Sequence, residues 1–185
     1  MIRINNLSFA YGEKRVFSGF SLEIPDGTRS CVFGESGCGK TTLLRLITGL
    51  EKPAGGSVET GGARFSAVFQ EDRLLPFKTV LENITLIGAE KETALNMPAK
   101  LGIAEAADKY PSELSGGMRR RAAIARALSA EYDCLILDEP FAGLDKENIE
   151  KAAALISESV GERTLIAVTH SEREAELLGA KIIRL

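Results

Sequence analysis

The sequence has no tryptophan, one histidine (His170) and three cysteines in 185 residues. Histidine-dependent chemistry therefore uses His170 or is absent. Cys31, Cys38 and Cys134 lack metal-ligand spacing and, being three, cannot all pair with one another. Cys31 and Cys134 lie in apolar runs and read as small core residues. A reducing, cytoplasmic setting fits such usage better than a disulfide framework does. No apolar run approaches the roughly 18 residues that a membrane-spanning helix needs. Met1–Asn5 opens no long apolar stretch of the signal-peptide kind. A basic surplus is missing too: 23 Lys and Arg face 26 Asp and Glu, a net charge of −3. Nucleic-acid binders usually show the reverse. Hydrophobic residues at 44% and charged residues at 26% exclude a largely disordered chain. The length accommodates one domain with a sizeable core.

What is present is an alternation of short apolar runs and helical patterns. Phe20, Leu22 and Ile24 alternate with polar neighbours, as in a half-buried strand. Cys31–Phe33, Cys134–Leu137 and Leu165–Val168 are continuous apolar runs, as in strands buried on both faces. Ile182, Ile183 and Leu185 predict a final strand. Leu43, Leu44, Leu46, Ile47 and Leu50 recur at helical spacing, as do Ile149, Ala152, Ala153, Ile156 and Val160. Such alternation predicts a mostly parallel sheet with helices on both faces. From about Thr79 to Leu114 the chain is helix-prone, with Pro98 and Pro111 as breaks, and reads as a helical insertion. Glycine pairs bracket Ser57–Thr60, which predicts a short edge strand.

Gly34-Glu35-Ser36-Gly37-Cys38-Gly39-Lys40-Thr41 fits the pattern G-x-x-x-x-G-K-[ST] between a buried strand and an amphipathic helix. Glycines let such a loop curl so that its N–H groups converge on phosphate oxygens. The helix start adds partial positive charge there. Lys40 is expected at the β- and γ-phosphates, the Thr41 hydroxyl at Mg²⁺, and Thr42 at a further phosphate oxygen. These residues imply a nucleoside triphosphate without separating kinases, GTPases and transport ATPases. Asp138 and Glu139 close an apolar strand, where ligands bind in open α/β sheets. Asp138 can hold Mg²⁺ through water. Glu139 can polarise an attacking water. Two acids capping a strand before Pro140 is the plainer alternative.

Leu114-Ser115-Gly116-Gly117-Met118 opens a helical run, with Ser115 as candidate N-cap and two glycines leaving N–H groups accessible. This would be a second anion-binding helix start in one chain. Here the sequence resembles the ATP-binding subunit of ABC transporters from end to end, with Leu114–Gly117 similar to the LSGGQ signature and Met118 in place of its glutamine. Gln70 resembles the Q-loop glutamine that links Mg²⁺ to the membrane partner. Ala142–Asp145 resembles the D-loop, His170 the switch histidine, and Tyr11 the aromatic that stacks on adenine. Val16 matches a further adenine contact. Taken singly, Gln70 could be a solvated amide, Tyr11 a turn aromatic, His170 a helix cap and Asp145 an N-cap.

The resemblance implies an α/β fold: a P-loop NTPase core with a mostly parallel central sheet, a small antiparallel β region and a short helical subdomain. It implies one ABC ATPase domain over residues 1–185, with the helical subdomain inserted at about 79–130. It also implies an ATPase with ATP and Mg²⁺ as cofactors, in which Glu139, His170 and Gln70 act on the reaction. Thr41, Gln70 and Asp138 would hold the metal. Residues 34–42, Tyr11, Val16, Ser115, Gly116, Gly117 and Asp145 would contact nucleotide. The implied partners are a second copy, closing head to tail around ATP, transmembrane permease subunits and a substrate-binding protein; no nucleic acid is expected. The chain would then sit on the cytoplasmic face of the membrane, held there by the permease. A soluble ABC ATPase acting on nucleic acid or ribosomes is the alternative class.

The chain is shorter than most family members, and its segment between Gln70 and Ser115 is compressed. Arg119-Arg120-Arg121 reads as a basic first turn on an exposed helix face, or as an anion patch that serves a partner's phosphates. Leu74, Leu75 and Phe77 near Pro76 read as a docking surface for the membrane subunit in preference to a core turn. The run LLPF resembles the nitrate, sulfonate and taurine importer branch.

Lys40→Ala removes the one cation assigned to the β- and γ-phosphates. Calorimetric titration is expected to show most ATP affinity lost; equal binding by variant and parent would refute the assignment.

Overall fold

The computed structural model describes residues 1–185. Two sheets carry the chain. β1 (Ile2–Tyr11), β2 (Lys14–Ile24) and β4 (Gly55–Glu59) form an antiparallel sheet in the order β2-β1-β4. β3 (Arg29–Phe33), β5 (Phe65–Val68), β6 (Cys134–Asp138), β7 (Thr164–Val168) and β8 (Lys181–Arg184) form a parallel sheet in the order β5-β6-β7-β3-β8.

The continuous apolar runs are explained by burial on both sheet faces. In β6, Leu135 and Leu137 pack into one core while Cys134 and Ile136 pack into the other. β7 alternates in the same way, with Leu165 and Ala167 opposite Ile166 and Val168. One core lies between the sheet and α4 (Gly116–Ser129), α5 (Lys146–Val160) and α6 (Glu172–Leu177). The other holds α1 (Lys40–Ile47) and the antiparallel sheet. α2 (Val80–Thr85) and α3 (Lys91–Lys100) pack with α4.

Local rules set several boundaries. Thr79 and Glu82 form a capping box at the start of α2. Ser115 accepts from the Met118 N–H at the start of α4, and Asp145 accepts from the Asn148 N–H at the start of α5. Other expectations are corrected. α1 ends at Ile47, so Leu50 lies beyond it and is 54% exposed. Pro98 sits inside α3 and does not break it. The strand before Gln70 runs Phe65–Val68.

β1 carries register shifts opposite Gly55, and the bulge brings its backbone against Gly56. Gly56 has φ +78°, and a Cβ there would lie 2.3 Å from the Asn5 carbonyl oxygen. Gly56→Ala is expected to lower unfolding free energy by about 1–3 kcal/mol through backbone strain. Gly61 also has positive φ but open space around it, so Gly61→Ala is expected to cost less. Urea midpoints for the two variants test the difference.

Candidate functional site

The carboxyl ends of the parallel strands converge on one cavity of about 520 Å³. β3 delivers the phosphate loop, β5 delivers Gln70, β6 delivers Asp138 and Glu139, and β7 delivers His170. The β1–β2 hairpin adds Tyr11 and Val16. This is where an open parallel sheet places ligands.

The phosphate loop is tightly specified. Gly39 has φ +108°, and a Cβ there would lie 2.7 Å from Val16 Cγ1 and 2.9 Å from Phe17 Cζ. Any other residue would push the loop off the hairpin. Lys40 is 7% exposed, and its ammonium donates to the carbonyls of Gly34 (2.8 Å) and Glu35 (2.9 Å). An ammonium has three donors, so one remains for a ligand.

Asp138 is 1% exposed. Burial pushes its carboxyl above the usual carboxylate range; the Thr41 hydroxyl, donating at 2.8 Å, and the charges of Arg120, Lys40 and Arg45 oppose that rise. Glu139 has left-handed backbone, φ +50°, and its N–H donates to the Val168 carbonyl at 2.9 Å. Its Oε1 is buried and lies 2.9 Å from His170 Nε2, yet no donor is aligned on it as a hydrogen bond. Burial raises its pKa, and His170 opposes the rise.

The donors facing the cavity here are oxygens: the Thr41 hydroxyl, the Asp138 carboxylate and the Gln70 amide. No group of three or more His, Cys, Asp or Glu side chains is arranged to hold a metal by itself. That set fits Mg²⁺, which takes one or two carboxylates and completes its shell with phosphate and water. It does not fit a protein-caged transition metal.

Of the sequence-predicted residues, Tyr11, Val16, Ser36, Gly37, Gly39 to Thr42, Gln70, Asp138, Glu139 and His170 line this cavity. Gly34, Glu35 and Cys38 belong to the loop without lining it. Ser115, Gly116, Gly117 and Asp145 lie outside it. They belong instead to one neighbourhood, since a Cβ on Gly117 would come within 3.3 Å of the Gly143 carbonyl. His170 does not cap the next helix; Ser171 does, accepting from the Glu174 N–H.

Lys14 and Val168 also line the cavity without having been expected at the site, and Ala142, the first residue of the D-loop resemblance, lines it as well. Lys14 pairs with Tyr11 across the hairpin, a register that the turn at Gly12-Glu13 could have signalled. The exposed reading of Arg119–Arg121 is overturned. Arg119 donates to the Leu114 carbonyl, Arg121 to those of Leu101, Gly102 and Gly117 and to Asn148, and Arg120 is 5% exposed. Arg120 shares the helix face of the buried Ala123, Ile124 and Ala127, and that spacing was the available signal.

Comparison with known proteins agrees with this geometry. A protein-family profile described as ABC transporter matches residues 17–142. The aliphatic sulfonates import ATP-binding protein SsuB 1 of Paraburkholderia xenovorans is 41% identical, covering 98% of this chain and 56% of its own length. Its namesake in Rhodococcus jostii is 40% identical, covering 95% of this chain and 75% of its own length. The chain thus spans from about half to three quarters of these curated relatives. The ATP-binding cassette MJ0796, solved as a dimer in a post-hydrolysis state with ADP and Pi, superposes with a TM-score of 0.90 at 29% identity. That alignment covers 100% of this chain and 94% of the cassette.

The raised pKa of Glu139 has a consequence for stability. A carboxyl whose folded pKa lies above its unfolded value carries a penalty when ionised. That penalty is full above the folded pKa and vanishes as pH falls below the ordinary carboxylate range. Glu139→Gln lacks it. The variant is therefore expected to melt higher than the parent at neutral pH, with the gap closing on acidification. Thermal melts across pH test this; a gap that widens towards acid would contradict it.

Proposed function

The chain belongs to the ABC transporter family, and on that premise we propose that it is the ATP-hydrolysing motor subunit of an importer. The observation that carries the reading is a division of the site. Lys40, Thr41, Asp138, Glu139 and His170 share one cavity, while the α4 start at Ser115–Gly117 lies outside it. The first N–H groups of a helix have no intrahelical partners. Those of Gly116 and Gly117 therefore suit the γ-phosphate of a nucleotide bound to a second copy. Two such contacts related by a two-fold axis make a closed dimer. The dimeric cassette structure supports this arrangement.

In this reading Tyr11, 43% exposed and packed edge-on against Phe9, offers its free face to adenine, and Val16 adds an apolar contact. The phosphate loop from Gly34 to Gly39 offers N–H groups to the phosphates, Lys40 its remaining donor, and Thr42 its hydroxyl. Thr41, Asp138 and Gln70 would hold Mg²⁺, which when bound would supply positive charge against that of the phosphates. Glu139 accepts a proton from the attacking water. His170, in contact with that carboxylate, steadies the γ-phosphate. Asp145, anchored by Asn148, fixes the loop between the two copies. Loss of the bridging phosphate opens the dimer.

No helix of the chain is long and apolar enough to cross a membrane. Coupling therefore runs through permease subunits docked on the exposed Leu75 and Phe77, with the chain on the cytoplasmic face of the membrane. The relatives' names support import, with aliphatic sulfonates as the cargo class; a substrate-binding protein completes the proposed set of partners. The reading as a nucleic-acid or ribosome ATPase is not favoured.

Glu139→Gln is expected to keep MgATP binding and lose hydrolysis by about 10²–10⁴-fold. Closed dimer should then accumulate with MgATP in size-exclusion chromatography with light scattering. Adding Ser115→Arg should abolish it, because bulk and charge would enter the second copy's phosphate site. A Glu139→Gln protein that binds MgATP but stays monomeric, alone and with its permease, would rule out the sandwich.

A further inference from the structure

Gln70 is exposed, lines the cavity, and its side-chain amide makes no hydrogen bond within the chain. A long, unanchored amide reaches a chosen point only if its backbone is fixed. The chain fixes that backbone with a buried cation. Arg120, on the first turns of α4, donates from Nη1 to the Phe69 carbonyl at 2.7 Å and from Nη2 to the Gln70 carbonyl at 2.8 Å. These carbonyls belong to the two peptide units that flank the Gln70 Cα. The planar fork of one guanidinium thus holds both backbone dihedrals of Gln70, which a lysine's point charge cannot do.

The neighbouring groups extend the hold. Asp72 Oδ1 lies 3.2 Å from Arg120 Nη1. That N–H is directed to Phe69, so the pair is electrostatic and Oδ1 has no hydrogen-bond partner. Arg126, two turns further along α4, donates to the carbonyls of Arg73 at 2.9 Å and Asp72 at 3.3 Å. Asn83, 2% exposed, accepts from the Leu75 N–H and donates to the Leu75, Lys78 and Thr79 carbonyls. The loop after β5 is therefore pinned along its length, but only Arg120 acts at Gln70. A buried ion pair is a poor device for stability alone, since apolar residues of similar volume do as well or better. Its placement is explained by what it orients. Arg120 also lies close enough for its charge to help keep Asp138 ionised.

We propose that Arg120 is the positioning residue for Gln70, and that it makes the loop after β5 move as one body with α4, whose first turn carries Ser115–Gly117. The side chain facing the chain's own nucleotide would then be tied mechanically to the backbone facing the partner's. The proposal rests on the assignment of Gln70 to Mg²⁺ and the γ-phosphate made above.

Two measurements on Arg120→Gln test it. Amide hydrogen exchange of the nucleotide-free protein should rise at least about tenfold over residues 69–73, with α1 and β6 unchanged. The turnover number with MgATP should fall by about ten- to a hundredfold, the order expected for a misplaced group. KM for ATP should stay within about twofold. Arg120→Lys, which keeps the charge without the fork, should not restore turnover. In a Gln70→Ala background, Arg120→Lys, which keeps the charge beside Asp138, should cost nothing further, since the positioned group is gone. If Arg120→Gln fails to fold, Asp72→Asn, which removes the arginine's carboxylate neighbour, should loosen residues 69–73 in the same assay. Unchanged exchange in the loop overturns the clamp, and losses that multiply in the double variant overturn positioning of Gln70. Gln70→Ala turning over at the parent's rate would instead overturn the underlying assignment of Gln70, a failure that the exchange measurement keeps distinct.

Discussion

Asp138 is an ionisable side chain almost wholly removed from water at the end of an apolar strand, and much of the site is arranged to keep its charge tolerable. Burial pushes its carboxyl above the usual carboxylate range. A hydroxyl from Thr41 and three cations on two helices oppose that tendency. Lys40 comes from the start of α1, Arg45 from its last turn, and Arg120 from α4. The phosphate loop, the β6 end and the α4 helix are thereby held to one reference point. A divalent cation bound beside this carboxylate would complete the compensation.

The sheet explains why these groups can be held so closely. β6 is buried on both faces and flanked by β5 and β7, so its carboxyl end has little freedom. The residues that follow each parallel strand inherit that rigidity. The antiparallel sheet supplies the hairpin that presses on Gly39 and carries Tyr11. The surface presented to the nucleotide is thus shared between the two sheets, and the loop between them is fixed by close contact with Val16 and Phe17.

Much of this was legible in the sequence where the determining interactions are local. The phosphate loop, the caps at Ser115 and Asp145, and the fully apolar strands follow from neighbouring residues and period. The pairing of β5 with β6 joins segments more than 60 residues apart, and no local pattern encodes it. Leu50 continued a helical period after the chain had turned at Gly49. Pro98 reads as a break because proline removes a donor, but α3 runs through it to Lys100. The arginines after Met118 were the largest misreading. A run of three like charges reads as an exposed face, whereas Arg120 and Arg121 donate to carbonyls of residues distant in sequence and Arg119 to the nearby Leu114 carbonyl. That satisfaction is a tertiary fact, and only the apolar spacing at Ala123, Ile124 and Ala127 hinted at it.

Glu139 stands in a left-handed backbone conformation that a glutamate adopts only at a cost in free energy. A glycine or asparagine would sit there with less strain, and neither carries the carboxylate that the proposed hydrolysis uses. The position is thus a point where heat tolerance and turnover pull in opposite directions. Laboratory evolution that selects only for survival of the fold would drift towards residues that relax this turn. On the proposed role of Glu139 it would return robust proteins that still grip nucleotide and no longer hydrolyse it. Any programme to harden the chain for use outside the cell therefore has to hold residue 139 constant and find its gains elsewhere.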